Sequence, residues 1–334
     1  MTAPFVARRP STASTPAHPI RLDADGGYPR RFGRLAPLVA DPEVTDLFVN
    51  GGGPVWADRG SGLRPVPELV VSDEEGRELA VRLMSDGGRH IDEATPCVDV
   101  RLHDGIRVHA VLPPVSTRGT LISIRLPRLE RWTLDDLDAG GFFPDETRVV
   151  LDGLVERRAN LLVSGAGGSG KTTLLSAILS AAAPTERIVV IEDVAELRIA
   201  HPHVVGLEAR QANIEGAGEV GLARLVREAL RMRPDRLVLG ECRGVEVRDL
   251  LSALNTGHDG GAGTLHANSL ADVPARLEAL GALAGLGTEA VARQAASAID
   301  AVLHVERTGD GRRLAGIGRL EVGDTGRLAV RSWP

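Results

Sequence analysis

The sequence predicts an α/β protein with a mostly parallel sheet, preceded by a smaller α+β domain. Three observations predict it. Beyond about residue 145, short apolar runs alternate with helical stretches, the rhythm of β-α units that build a parallel sheet with helices on both faces. One run, Leu161-Leu162-Val163-Ser164, leads into Gly165-Ala166-Gly167-Gly168-Ser169-Gly170-Lys171-Thr172, which fits G-x-x-x-x-G-K-[ST] and opens a helix. Two further runs end in acids, Ile188–Ile191 at Glu192-Asp193 and Leu237–Leu239 at Glu241. In a parallel sheet such strand ends face the ligand crevice.

The elements follow in order. Residues 1–33 are rich in Pro, Ser, Thr and Ala and read as a disordered lead-in. Asp46–Asn50 is a short strand stopped by Gly51-Gly52-Gly53, and Val55–Asp58 is its partner. Ser72-x-x-Glu75 is a capping box that opens a helix through Leu79, Leu83 and Met84. Val98–Leu102 and Ile106–Val111 alternate apolar and polar residues around Asp104-Gly105, a hairpin signature, and Leu121–Leu126 adds a strand. Residues 34–126 thus read as an α+β domain and 127–144 as a linker. From 145 to 334 come helices near 145–157, 172–182, 222–230, 247–254, 270–284 and 288–299. The strands named above share this segment with 263–266, 301–307, 313–321 and 327–332.

Bulk properties narrow the function. Net charge is −6 and no block of like charges occurs, which speaks against a nucleic-acid groove or a polybasic membrane anchor. Aromatics are 3%, so the core is aliphatic and base-stacking platforms are scarce. No apolar run reaches the roughly 18 residues of a membrane-spanning helix. Arg8-Arg9 is followed by Ser, Thr and Pro and lacks the apolar core of an export signal. Cys97 and Cys242, far apart and in no CxxC, suit a reducing cytosol.

Lys171 is the one lysine among 39 basic side chains. A compact ammonium on a flexible stem is what a β/γ-phosphate contact uses. The backbone N–H groups of Gly165 to Lys171 can wrap phosphate oxygens, Thr172 can ligate Mg²⁺, and Thr173 continues the cradle into the helix. The chemistry implied is binding of ATP with Mg²⁺. Glu192 can orient or deprotonate water or hold Mg²⁺ through water, and Glu196 can share that work. Glu241 closes a Walker-B-like strand with glutamate in place of aspartate, so metal ligation through water and nucleophile positioning are both open. Gly240 and Gly244 bracket Glu241 and Arg243, where missing side chains let a ligand approach the backbone. His266, at the end of the next strand, can reach a γ-phosphate or serve as a hydrogen-bonded structural residue. His258 and His266 lack the spacing of a helical metal pair.

The order of these motifs is specific. The phosphate loop, Ile191-Glu192-Asp193-Val194-Ala195-Glu196-Leu197, Leu230-Arg231-Met232-Arg233-Pro234-Asp235 running into Gly240-Glu241-Cys242-Arg243-Gly244, Asn255–Gly260 and Thr264-Leu265-His266-Ala267-Asn268-Ser269 together resemble the type II/type IV secretion ATPase superfamily. They look like its Walker A, Asp box, Walker B and His box. Asp99–Val108 and Leu112-Pro113-Pro114 in the first domain are similar to its tight-adherence (Tad, CpaF-like) pilus branch. The resemblance implies a RecA-like P-loop NTPase domain behind a sensor-like N-terminal domain. It also implies a cytoplasmic homohexamer docked on inner-membrane platform proteins, with no nucleic acid bound and no integral membrane segment. ATP hydrolysis would power pilus assembly or secretion. By position Glu192 is the base, Glu241 assists at metal and water, and His266 senses γ-phosphate. Arg107 and Arg125 match the first-domain arginines that close on the phosphates, with Arg231 and Arg243 as weaker matches. No cysteine-rich zinc module is present. The alternatives are a RecA-like nucleic-acid or conjugation motor, a small-molecule kinase and a nucleotide-binding regulator.

Overall fold

The computed structural model describes residues 31–60, 62–102, 105–126, 131–144, 146–210, 218–309 and 311–333. Most of the expected lead-in, and Asp104 of the expected turn, lie outside these residues. The described residues divide into two compact units, 31–126 in one and those from 131 onward in the other.

The first unit is a six-stranded sheet with helices on one face. Its strands are β1 (Asp46–Asn50), β2 (Pro54–Asp58), β3 (Leu63–Val70), β4 (Cys97–Arg101), β5 (Arg107–Val111) and β6 (Leu121–Arg125). They run in the order β3-β2-β1-β6-β5-β4, antiparallel throughout. Alternation sends Leu47, Val49, Val108, Ala110, Ile122 and Ile124 into one core, covered by α1 (Ala36–Ala40) and α2 (Asp73–Asp86). The capping box forms as expected: Glu75 N donates to Ser72 Oγ at 3.2 Å and Ser72 N donates to Glu75 Oε2 at 2.8 Å. β3 escaped the sequence pattern because it carries Pro65 and Pro67. It is an edge strand, where a missing N–H is tolerated.

The second unit is an eight-stranded sheet between two helical layers. Its helices are α3 (Leu134–Ala139), α4 (Thr147–Glu156), α5 (Lys171–Ser180), α6 (Leu222–Ala229), α7 (Glu246–Leu254), α8 (Val273–Leu283) and α9 (Thr288–Ala298). Its strands are β7 (Leu161–Gly165), β8 (Ile188–Glu192), β9 (Val204–Glu208), β10 (Arg236–Cys242), β11 (Ala262–His266), β12 (Ala301–Thr308), β13 (Gly311–Val322) and β14 (Leu328–Ser332). The order is β14-β13-β12-β7-β11-β10-β8-β9. The six strands from β12 to β9 are parallel, and β13 and β14 are antiparallel additions. Successive residues of the central strands enter different cores. Leu162, Val189, Ile191, Leu237 and Leu239 pack with α6 to α9, while Val163, Ile188, Val190 and Val238 pack with α3 to α5. Both faces are thus apolar, which is why these strands read as continuous hydrophobic runs.

Two details differ from the sequence reading. The stretch read as a linker carries α3, capped by Thr133, whose Oγ1 accepts from Asp136 N at 3.1 Å. An aspartate at the third position replaces the glutamate that a capping-box pattern seeks. Phe142 and Phe143 of the same stretch are buried in the second unit's core. β9 was also not anticipated. It is an edge strand with Gly206 at its centre and no buried position.

Candidate nucleotide site

Strand order builds the site. β7, β11, β10 and β8 are successive parallel neighbours, so their C-terminal ends share one edge. That edge carries the glycine loop, His266, Glu241 and Glu192-Asp193 in spatial sequence. His266 stands level with Gly165, where the loop begins.

The loop turns through left-handed backbone at Gly168 (φ +70°) and Gly170 (φ +105°), conformations that favour glycine. Lys171, 7% exposed, opens α5. Its Nζ donates to Gly165 O and Ala166 O, both at 2.9 Å, and lies 3.4 Å from His266 Nδ1. His266 Nε2 lies 2.8 Å from Glu241 Oε1, and Arg243 Nη2 donates to Glu241 Oε2 at 2.6 Å. Arg243 Nη1 also lies 3.7 Å from Asp193 Oδ2. A continuous polar chain, Lys171–His266–Glu241–Arg243–Asp193, therefore joins four strand-end segments.

The electrostatics fit this chain. Burial pushes the Lys171 ammonium down, and Glu241 and Glu196 oppose that shift. Burial pulls the Glu241 carboxyl up, but Arg243, His266 and Lys171 outweigh it and hold Glu241 below its ordinary value. Burial, then the Lys171 charge, lower His266. A neutral His266 then carries its proton on Nε2 toward Glu241 and presents the Nδ1 lone pair to Lys171.

The acids have different environments. Glu192 is 6% exposed, and its Oε1 accepts from Glu196 N at 2.7 Å and Leu197 N at 3.0 Å. Its carboxylate folds the loop after β8. Glu196 is exposed and close enough to act on the charges of Lys171 and Arg243. A register shift between Leu239 and Cys242 marks a bulge at Gly240-Glu241, a device that re-aims a side chain. Gly240 serves packing: a Cβ there would lie 2.6 Å from Glu192 Cγ. Gly244 is crowded similarly, by Glu246 Oε2 at 3.2 Å. Glu246, which sequence reasoning missed, caps the turn by accepting from Arg243 N at 2.6 Å and Gly244 N at 2.7 Å. At both glycines an acidic side chain fills the space that a Cβ would need.

The remaining candidates separate cleanly. Arg231 pairs with Glu228 on the surface, 3.0 Å away. Arg107 and Arg125 stand opposite each other on β5 and β6 in the first unit, with Arg101 and Asp46 on the same rung. Cys242 is buried, and burial pushes its thiol far up, so it is a packing residue.

The donor set suits a magnesium–nucleotide complex. Ser169 Oγ, buried in the loop, has no protein partner among the described residues, and a phosphate oxygen could satisfy it. No group of three or more His, Cys, Asp or Glu able to hold a metal occurs among the described residues. Mg²⁺ is usually bound through one or two carboxylates plus substrate phosphates, which one hydroxyl (Thr172) and Glu241 can supplement.

A parallel sheet whose phosphate-loop lysine faces acidic strand tips and a histidine defines a P-loop ATPase. The model of the family described as "Type II/IV secretion system protein" matches residues 36–308. The chain belongs to that secretion ATPase family. A Mycobacterium tuberculosis protein named for conjugal transfer is 48% identical over 308 residues, 90% of this chain and 88% of the relative. The type IV secretion system protein VirB11 of Brucella suis is 32% identical over 262 residues, 70% of this chain and 72% of the relative. The ATPase DotB of Legionella pneumophila shares the fold, with a TM-score of 0.60 at 22% identity over 90% of this chain and 82% of that one.

Proposed function

We propose that this chain is the ATP-hydrolysing motor of a secretion or pilus-assembly machine of the tight-adherence branch. It works as a homohexamer at the inner face of the plasma membrane, on membrane platform proteins. The observation that carries the ATPase part is the Lys171–His266–Glu241–Arg243 chain. Family membership supports the machine, and the first-domain motifs support the branch. Among the described residues no helix is long and apolar enough to cross a membrane.

The triphosphate lies in the loop, with Lys171 against the β- and γ-phosphates. Thr172, and Glu241 through water, would hold Mg²⁺, which would supply charge neutralisation to the phosphoryl oxygens. Glu196 takes the proton of the attacking water: it is exposed and acts on the charges of Lys171 and Arg243, whereas Glu192 is buried with its Oε1 bonded to two loop amides. His266 senses the γ-phosphate through Lys171 and Glu241, which its two nitrogens link. Arg107 and Arg125 are the candidates for further phosphate-binding cations that the family resemblance suggests.

Turnover of Mg·ATP by three forms of the chain tests the assignment. Glu196→Gln should bind ATP but lose hydrolysis by at least about a hundredfold, an effect of general-base size. If Glu196→Gln hydrolyses normally and Glu192→Gln does not, the base is Glu192. A conjugation motor is the second reading, favoured by the 48% identical relative named for conjugal transfer. Membrane proteins captured by the hexamer decide between the two: pilus platform proteins support the first, conjugation-channel proteins the second.

A further inference from the structure

We propose that the hairpin of β12 and β13 positions the phosphate-binding loop, and that Arg312 is the residue through which it acts. The inference rests on the nucleotide-site reading above. Arg312 belongs to no sequence motif and lies beyond residue 308, where the family match ends.

Three contacts fasten the hairpin to the loop. Arg312 Nε donates to Gly168 O at 2.9 Å, and its Cδ would lie 3.3 Å from a Cβ on Gly170. The Val305 carbonyl occupies the space a Gly165 Cβ would need. His304 Nδ1 lies 2.9 Å from Ser164 Oγ, both buried, and the two residues are in register on β12 and β7. β12 therefore holds the strand that feeds the loop, and β13 reaches over to the loop itself.

The consequence follows from peptide geometry. The Gly168–Ser169 peptide is planar, so fixing its carbonyl fixes its N–H. Arg312 holds the carbonyl end, and Ser169 N donates to Ala166 O at 3.3 Å from the other. Gly168 can cross between left- and right-handed backbone at little cost, so it restrains this peptide little by itself. Arg312 removes that freedom before nucleotide arrives. Binding then loses less conformational entropy, which raises affinity without altering the chemical step.

The test is isothermal titration with ADP in magnesium buffer, with ATP turnover measured in parallel. Arg312→Gln should bind ADP roughly tenfold more weakly, the size expected for one charge-assisted hydrogen bond. KM for ATP should rise by a similar factor while kcat stays within about twofold, the pattern of lost uniform binding. Arg312→Lys, which keeps a donor and the charge, should recover part of the loss and serves if the glutamine variant folds poorly. ADP affinity within about twofold of the unaltered chain in both variants would overturn the proposal. An equal loss in kcat with KM unchanged would also overturn it. Failure of the unaltered chain to bind ADP would instead overturn the nucleotide reading on which this one stands.

Discussion

Gly240→Ala tests how the acidic strand tips are built. The added methyl would sit 2.6 Å from Glu192 Cγ and 3.4 Å from its Cδ. Gly240 has no left-handed backbone, so the change is one of packing alone. Glu192 is buried and held by the amides of Glu196 and Leu197 at 2.7 and 3.0 Å, so it can move only by giving up those bonds. Overpacking costs about 1–3 kcal/mol. Loss of one hydrogen bond to a charged group adds about 1.5–3 kcal/mol. Urea denaturation at neutral pH should therefore show Gly240→Ala destabilised by about 2.5–6 kcal/mol. In a Glu192→Ala background, where the crowding side chain is gone, the same change should cost under about 0.5 kcal/mol, a coupling typical of residues in contact. A single variant as stable as the parent, with weakened ATP binding, would mean that Gly240 makes room for ligand and that the packing argument is wrong.

Other predictions follow from the same contacts. Arg236, 2% exposed, pairs with Glu186 and donates to Val155 O at 2.8 Å, so Arg236→Ala should cost about 3–5 kcal/mol in urea unfolding. His304 is buried, and burial lowers its imidazole from the ordinary 6.5, with Lys171 acting the same way and Glu306 and Asp272 opposing. Above that ordinary value both folded and unfolded chains are neutral there. Below it the unfolded chain takes the proton first, so stability is lost as pH falls from about 7 toward 5. The urea midpoint should drop over that range, and His304→Gln should flatten the drop. An identical pH profile in the variant would remove His304 from the account.

Much of this was legible in the sequence, and the limits have physical causes. The placement of Lys171, Glu241 and His266 along one edge of the sheet was readable because a parallel β-α rhythm reveals strand ends. The split between Glu192 and Glu196 was not, because sequence cannot tell a carboxylate turned inward onto amides from one turned toward solvent. The packing of Gly240 against Glu192 was not legible, because sequence does not say which strand lies beside β10. β3 and β9 carry Pro or Gly and escaped because edge strands tolerate residues that central strands reject. Arg312 was one arginine among many, and only the register of β12 against β7 brings its hairpin to the loop.

Titration of ATP with Mg²⁺ into the unaltered chain and into Lys171→Ala tests most directly whether Lys171 and its loop grip the triphosphate. The unaltered chain should bind in the micromolar range, and the variant should bind at least about a hundredfold more weakly, a loss of roughly 3 kcal/mol or more. Equal affinity in the two, or no binding by the unaltered chain, would contradict the account.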